Sequence, residues 1–326
     1  MSKLVVTKMY QFSQEQGVHA HTPEEWTLQD GVRRPILGIS EAICGLLIDI
    51  IYIPMLIVML EKKQFKMSCY KIMAFLAIVD IFSIIIDCVI TGFLAYQGAV
   101  FCSYPNLIYF SGIAGEGLWC CSCLVALILV CNRLCDFVFP KVGMILFAGN
   151  RVFLILFGSV LYSLFFVFNE PPVLFTSKYH AWFFDPMIFE GRGAEYGNLP
   201  AIFNNYMVVV CTCSLYLVFC IVLGVKVKDV STDSETRKVS IQIFFQSAMI
   251  CAVNLITSII YVTMNYIDVP FWLIILAQFM WQVGNAAPIF VYLQLNKTIR
   301  NGVLYKIGWK RNSKINTARR LTKSNI

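Results

Sequence analysis

Residues 119–136 read WCCSCLVALILVCNRLCD, an apolar run of helical length that stops abruptly at Asn132-Arg133. The run begins upstream at Leu107 and carries one carboxylate, Glu116, about four turns before the arginine. An acid toward one end and an arginine at the other mark this helix as the axis of a membrane bundle. The rest of the chain is placed around it.

Of 326 residues, 58% are hydrophobic and only 14% are charged, with a mean hydropathy of +0.71. That is too little charge to cover a soluble domain of this size, so the expected class is a polytopic membrane protein in contact with a lipid bilayer. The net charge of +7 is informative through where it sits, and no nucleic-acid partner is implied. The first thirty residues contain no apolar signal core, so the first hydrophobic helix is expected to direct insertion. Most of the 13 cysteines fall inside apolar runs, where they read as small packing residues. His19, His21 and His180 all lie outside those runs, and no paired Cys-x-x-Cys motif occurs. Neither a metal or other cofactor nor a nucleophile–base pair is expected, which argues against an enzyme.

Seven hydrophobic runs are long enough, or nearly so, to cross a ~30 Å hydrocarbon core as helices. They are Ile36–Leu60, Ile72–Tyr96, Leu107–Cys131, Val152–Phe168, Ala201–Val225, Val239–Met264 and Phe271–Leu295. The expected organisation is a tail over 1–35, a seven-helix bundle over 36–295 and a terminal segment over 296–326. With the N-terminus outside, the segments left inside hold 20 of the 26 lysines and arginines. Basic residues favour the cytoplasmic side. The expectation is therefore a plasma-membrane protein with an extracellular N-terminus and a cytoplasmic C-terminus. Beyond Leu295, Ile299, Val303 and Ile307 recur at helical spacing among basic residues, which reads as an amphipathic helix on the inner leaflet. A helical turn is expected after Thr22. Ser231, Thr232, Ser234 and Thr236 are candidate phosphosites in the loop before the sixth helix.

Polar residues inside the spans carry the functional reading. In the second run Asp80, Ser83, Asp87 and Thr91 fall on one stripe. A carboxylate at a helix centre costs roughly 2.5–3.5 kcal/mol on insertion scales, so two on one face do not both point at lipid. Asp80 and Asp87, with Asp49 of the first run and Asn285 of the seventh, form a candidate network. It either holds helices together or makes an ion or proton site. Glu116 lies about ten residues in from the outer end, roughly 15 Å deep, where a small ligand binds between helices or a structural acid sits. Asn254 and Tyr261 share one face of the sixth run, and Gln278, Trp281 and Gln282 one face of the seventh. Together with Trp119 and Glu116 these are the candidate ligand-binding residues. Trp182-Phe183-Phe184-Asp185-Pro186 is either a membrane-interface anchor or a lid over that pocket. Gly112, Gly115 and Gly117 allow close helix contact in the third run, and Ala42, Cys44 and Gly45 in the first. Cys102 has no cysteine partner in the second outer loop, so no disulfide is expected there. A channel or transporter using Asp49, Asp80, Asp87 and Glu116 is the alternative to a receptor, but no internal repeat is visible.

An ordered set of segments adds a resemblance. YIPML (Tyr52–Leu56), SCYKIMAFL (Ser68–Leu76), TGFLAYQGAVFCSYPNLIYFSG (Thr91–Gly112), NRLCD (Asn132–Asp136), WFFDP (Trp182–Pro186), QIFFQSAMIC (Gln242–Cys251) and WQVGNAAPIFVYLQLNKTIR (Trp281–Arg300) together resemble the nematode serpentine receptors of class T. The resemblance implies a rhodopsin-like seven-helix fold, a small extracellular ligand and a heterotrimeric G protein as partner. Asn132-Arg133-Leu134 resembles the Asp-Arg-Tyr motif, which implies a coupling role for Asn132 and Arg133, although Asn132 removes the usual acid. Asn285, Pro288 and Tyr292 resemble Asn-Pro-x-x-Tyr, with the proline and tyrosine four apart rather than three. No lysine lies between Phe271 and Leu295, so a retinal Schiff base like an opsin's is not available.

Overall fold

The computed structural model describes residues 22–185, 196–226, 234–264, 267 and 269–309. A short helix α1 (Pro23–Asp30) precedes α2 (Pro35–Met59) and α3, which runs from Ser68 to Gln97 with a π-helical turn at Ile85–Ile90. A 3-10 turn (Phe101–Ser103) leads into α4 (Pro105–Val138), the short α5 (Pro140–Phe147) and α6 (Arg151–Asn169). Strands β1 (Leu174–Thr176) and β2 (Ala181–Phe183) form a hairpin before α7 (Leu199–Lys226), α8 (Ser234–Met264), α9 (Phe271–Leu295) and α10 (Lys297–Lys306). The seven expected spans correspond to α2, α3, α4, α6, α7, α8 and α9. Six are long and apolar enough by length and composition to cross a membrane, and α8 is apolar over Ala248–Met264.

Local sequence explains the starts and stops. Pro23, Pro35, Pro105 and Pro140 each occupy the first turn of a helix, where the missing N–H costs nothing. At α1, Thr22 Oγ1 accepts from the Glu25 amide at 3.3 Å while Glu25 Oε2 accepts from the Thr22 amide at 2.7 Å, a reciprocal cap. Asn296 caps α10 by accepting from the amides of Thr298 and Ile299, both at 3.1 Å. Pro54 and Pro288 lie inside continuous helices.

α4 is the axis of the bundle. Within its apolar window 78% of residues are buried, against 17% for α7 and 22% for α6. Large aliphatic and aromatic side chains point outward from the peripheral helices, among them Ile36, Leu154 and Phe203. Only lipid makes so extensive an apolar surface tolerable. Two core clusters lie along the axis. One surrounds Tyr52, Met55, Val130 and Tyr292 and reaches Ile299 and Val303 of α10. The other gathers Trp26, Phe101, Trp119, Phe175, Trp182 and Trp281 toward the hairpin. The buried Ile299 and Val303 dock α10 on the bundle; Ile307, expected on the same face, is exposed. Gly302 lets that docking close, since a Cβ there would lie 2.7 Å from a Val58 methyl. Lys306 pairs with Glu61 at 3.2 Å beside it. Ser231, Thr232 and the tail beyond residue 309 lie outside the described residues, as do the side chains of Ser234 and Thr236.

Small residues set how tightly the helices meet. A Cβ on Gly38 would lie 2.3 Å from the Gly92 carbonyl oxygen, and one on Gly92 would lie 2.4 Å from that of Gly38. The α2–α3 contact is therefore backbone on backbone. Gly45 packs on Cys88 and Ala42 on Gly92, whereas Cys44 is exposed and takes no part. Gly117 abuts Val167 and Ser163 of α6, and Gly112 abuts the Val173 carbonyl. Gly92→Val should separate α2 from α3 at a cost of ~1–3 kcal/mol. Gly158→Ala, at a site with nothing within 4 Å, should be near neutral. Melting of the two detergent-solubilised variants by fluorescence-detected size exclusion checks this, and equal melting temperatures would refute it.

Candidate functional site

The hairpin end of the bundle holds a cavity of about 510 Å³. α4 contributes Glu116 and Trp119, α8 contributes Tyr261 and α9 contributes Trp281. These are four of the seven candidate ligand residues. Asn254, Gln278 and Gln282 do not line it. Asn254 is buried over Gly284, Gln278 is buried with both amide atoms lacking a hydrogen-bond partner, and Gln282 is drawn into a separate polar cluster. Trp182 and Phe183 of the hairpin, with Phe184 and Asp185 just after it, line the cavity, so the aromatic run borders the pocket. Asn205 at the start of α7 also lines it and accepts from Trp119 Nε1 at 3.1 Å, which fixes the indole.

Glu116 is 9% exposed. Its Oε1 accepts from the Cys120 thiol, one turn on, at 3.6 Å. Among the described residues no basic side chain pairs with it. The charged residues of the described lining, Glu116 and Asp185, are both acidic, and the remainder is dominated by aromatic rings.

Below the cavity lies the polar network. Tyr52 on α2 places its hydroxyl 2.9 Å from Asp80 Oδ2 and 2.7 Å from the Asn285 carbonyl oxygen. Ser122 of α4 donates to Asp80 Oδ1 at 3.3 Å. Asn285 Nδ2 donates to Asp87 Oδ2 at 2.7 Å, and Gln282 Nε2 donates to the Asp87 carbonyl at 2.7 Å and reaches Glu41 Oε1 at 3.3 Å. Asp80, Asp87 and Asn285 thus share one network. Asp49 is half-buried, and its buried Oδ1 makes no hydrogen bond. Tyr52, Ser122 and Glu41 were not among the sequence candidates. Each is a polar residue in a largely apolar helix, and only the neighbouring helices reveal its partner.

The hairpin is held without a disulfide. Cys102 is a free, buried thiol pushed up to about 12 by burial. Instead Ser177 donates its amide to the Ala99 carbonyl at 3.0 Å and accepts the Val32 amide on its hydroxyl at 3.0 Å. Arg34 reaches the carbonyls of Ser177 and Lys178 at 3.4 and 3.3 Å. His180, at a φ of 54°, sets Nε2 2.8 Å from Glu41 Oε1. Trp182 Nε1 donates to Thr91 Oγ1 at 2.8 Å. No short motif announces this strap, because every contact spans more than seventy residues.

At the opposite end of α4, Asn132 is fully buried and donates to Ser68 Oγ at 3.2 Å. The Arg133 side chain is 11% exposed and turns inward, with one terminal nitrogen 3.8 Å from Met73 Sδ and the other 4.0 Å from Asp136. It does not extend outward toward headgroups, and its Nε is buried without a partner.

A family model described as the serpentine type 7TM GPCR chemoreceptor Srt matches residues 4–316. The chain belongs to this family. Serpentine receptor class T-55 of Caenorhabditis elegans is 28% identical over 284 residues, covering 86% of this chain and 77% of that protein. The crystal structure of squid rhodopsin superposes with a TM-score of 0.59 at 12% identity, covering 85% of this chain and 87% of that one. The latter likeness concerns the fold alone. This Srt chain is accordingly a multi-pass membrane protein of the chemoreceptor type, with the seven-helix architecture of a G-protein-coupled receptor. Its hairpin and cavity stand at one end of the bundle and Arg133 with α10 at the other.

The strap generates a direct test. His180→Ala leaves the Glu41 carboxylate short of a partner and should loosen the hairpin by ~1–3 kcal/mol. Hydrogen exchange at the amides of Leu174–Phe183 should accelerate while that of α4 stays unchanged. Unaltered exchange in the hairpin would mean that the backbone contacts alone hold it.

Proposed function

We propose that this protein is a chemosensory receptor that binds a small extracellular molecule in the hairpin-end cavity and activates a cytoplasmic heterotrimeric G protein through the opposite end. The observation that carries the reading is the placement of the two candidate sites on one rigid helix. Glu116 and Arg133 both belong to α4, seventeen residues apart, or roughly 25 Å. A ligand can shift the equilibrium only by the difference in its affinity for the two states. A cavity bounded by α4, α8, α9 and the hairpin gives it contacts that change when those elements move. The excess of basic residues at the Arg133 end supports an extracellular hairpin and a cytoplasmic α10. The engagement of Asp80 and Asp87 with fixed side chains on α2, α4 and α9 does not favour a conducting path along the carboxylates.

Epitope tags at the two ends, stained with and without permeabilisation, test the orientation. An α10-end tag visible on intact cells would sink the proposal. Coupling is tested at Arg133. The usual neighbouring acid is Asn132, and Asp136 is only a marginal partner at 4.0 Å. Arg133→Ala should leave surface expression largely intact and reduce G-protein activation tenfold or more, about 1.4 kcal/mol or greater in coupling free energy. The weak local tether should also give measurable basal signalling in the unmodified protein. A chemical-library screen with a G-protein activation readout supplies the agonist, and a full agonist response in the alanine variant would assign Arg133 a purely structural role.

A further inference from the structure

We infer that the hairpin-end cavity is built for a small organic cation, a protonated amine or quaternary ammonium, with its charge held against Glu116 and its carbon body against the surrounding aromatic rings. The inference deepens the proposed receptor function and rests on that reading for its biological meaning, but not for the binding itself.

Three observations converge. First, Glu116 is nine-tenths buried and faces the cavity with a thiol as its hydrogen-bond partner; a thiol is a weak donor and supplies no positive charge. A buried carboxylate without a cation is a costly arrangement, and a cationic guest removes that cost. Asp80 and Asp87, the other fully buried carboxylates of the described bundle, accept from neighbouring polar side chains, so Glu116 differs from them in being left to the cavity. Second, the ring-bearing side chains Trp119, Trp182, Tyr261 and Trp281 stand on four different elements around the same space. Aromatic faces attract cations by ~0.5–2 kcal/mol each, and a cage of them is how quaternary ammonium groups are recognised. Third, no lysine, arginine or histidine occurs in the described lining, so among those residues an organic anion finds no counter-charge. The volume of about 510 Å³ is in the range for a small organic ligand.

The test uses the purified full chain in detergent and two probes of one shape: benzyltrimethylammonium, and the uncharged compound in which carbon replaces its nitrogen. Binding is read from tryptophan fluorescence and from the melting temperature, which a ligand of the native state raises. The charged probe should bind and raise the melting temperature, with the neutral isostere at least tenfold weaker. Glu116→Gln should remove that tenfold preference, whereas Glu116→Asp should retain it. The melting temperature of each variant without probe reports whether it is folded. If the Gln variant does not fold, the Asp variant and the probe pair on the unmodified protein decide alone. Equal binding of the two probes, undiminished binding to a folded Gln variant, or no shift with millimolar benzyltrimethylammonium overturns the inference. None of these readouts involves a G protein. A chain that binds the cation yet activates no G protein would sink the receptor proposal and leave the cation site standing.

Discussion

The Tyr52 hydroxyl joins the bundle together. Polar groups in a hydrocarbon environment must find partners within the protein, because no water is there to supply them. Tyr52 on α2 meets both Asp80 of α3 and the Asn285 carbonyl of α9, and Ser122 brings α4 to the same carboxyl group. Four helices are thereby registered at one point. The contact also constrains protons. A phenol carries a single hydroxyl hydrogen, so it can donate to the Asn285 carbonyl or to Asp80, not to both. Both short contacts are hydrogen bonds together only when Asp80 carries a proton of its own.

The π-helical turn of α3 decides what happens one step nearer the cavity. Its wider winding adds a residue to the turn and displaces Asp87 and Thr91 from the stripe that a regular helix would draw through Asp80. Thr91 answers the disturbed ladder by donating its hydroxyl to the Ile86 carbonyl, five residues back, at 3.0 Å. Its oxygen then accepts from Trp182, which ties the hairpin to α3. Asp87 meets Asn285 and, through its carbonyl, Gln282. Gln282 also approaches Glu41, whose other contact is His180. A continuous set of polar contacts therefore leads from Tyr52 to the hairpin.

Hydropathy made the seven spans legible because lipid-facing and buried surfaces of a membrane helix are both apolar, so length alone identifies them. The alternation of Glu116 and Arg133 along one run identified the axis correctly. Periodicity shows which residues share a face of one helix, but not which neighbour that face meets. Hence Trp281 and Gln282, adjacent in sequence, were expected in one pocket; Trp281 lines it and Gln282 serves the polar network. Asp49 was grouped with Asp80 and Asp87 by residue type, yet it lies on the part of α2 that is only partly covered. The strap was illegible for a different reason. Ser177 and His180 are polar residues in a loop, and their importance comes from contacts with Ala99, Val32 and Glu41, far away in the sequence.

The same interactions indicate where a change of shape would cost least. Sliding α3 against α2 and α9 would strip Asp80 of Tyr52 and Asp87 of Asn285, and each buried group so exposed costs ~1–3 kcal/mol or more when charged. α4 is bound to α3 through Ser122 and, at its far end, through Asn132 and Ser68. α8 is held by a different kind of contact: Thr257 shares its hydrogen between the Val253 carbonyl of its own helix and the Met280 carbonyl of α9, and Tyr216 of α7 donates to the Ala248 carbonyl. If Thr257 leaves Met280 it keeps Val253, and Met280 keeps its helix hydrogen bond, so the loss leaves neither group orphaned. α8 also carries Tyr261 at the cavity, edge-on to Trp119 of α4 at 6.2 Å between ring centres. A guest lodged between those rings would touch α4 and α8 together, while the contacts of Asp80 and Asp87 tie α2, α3, α4 and α9 to one another.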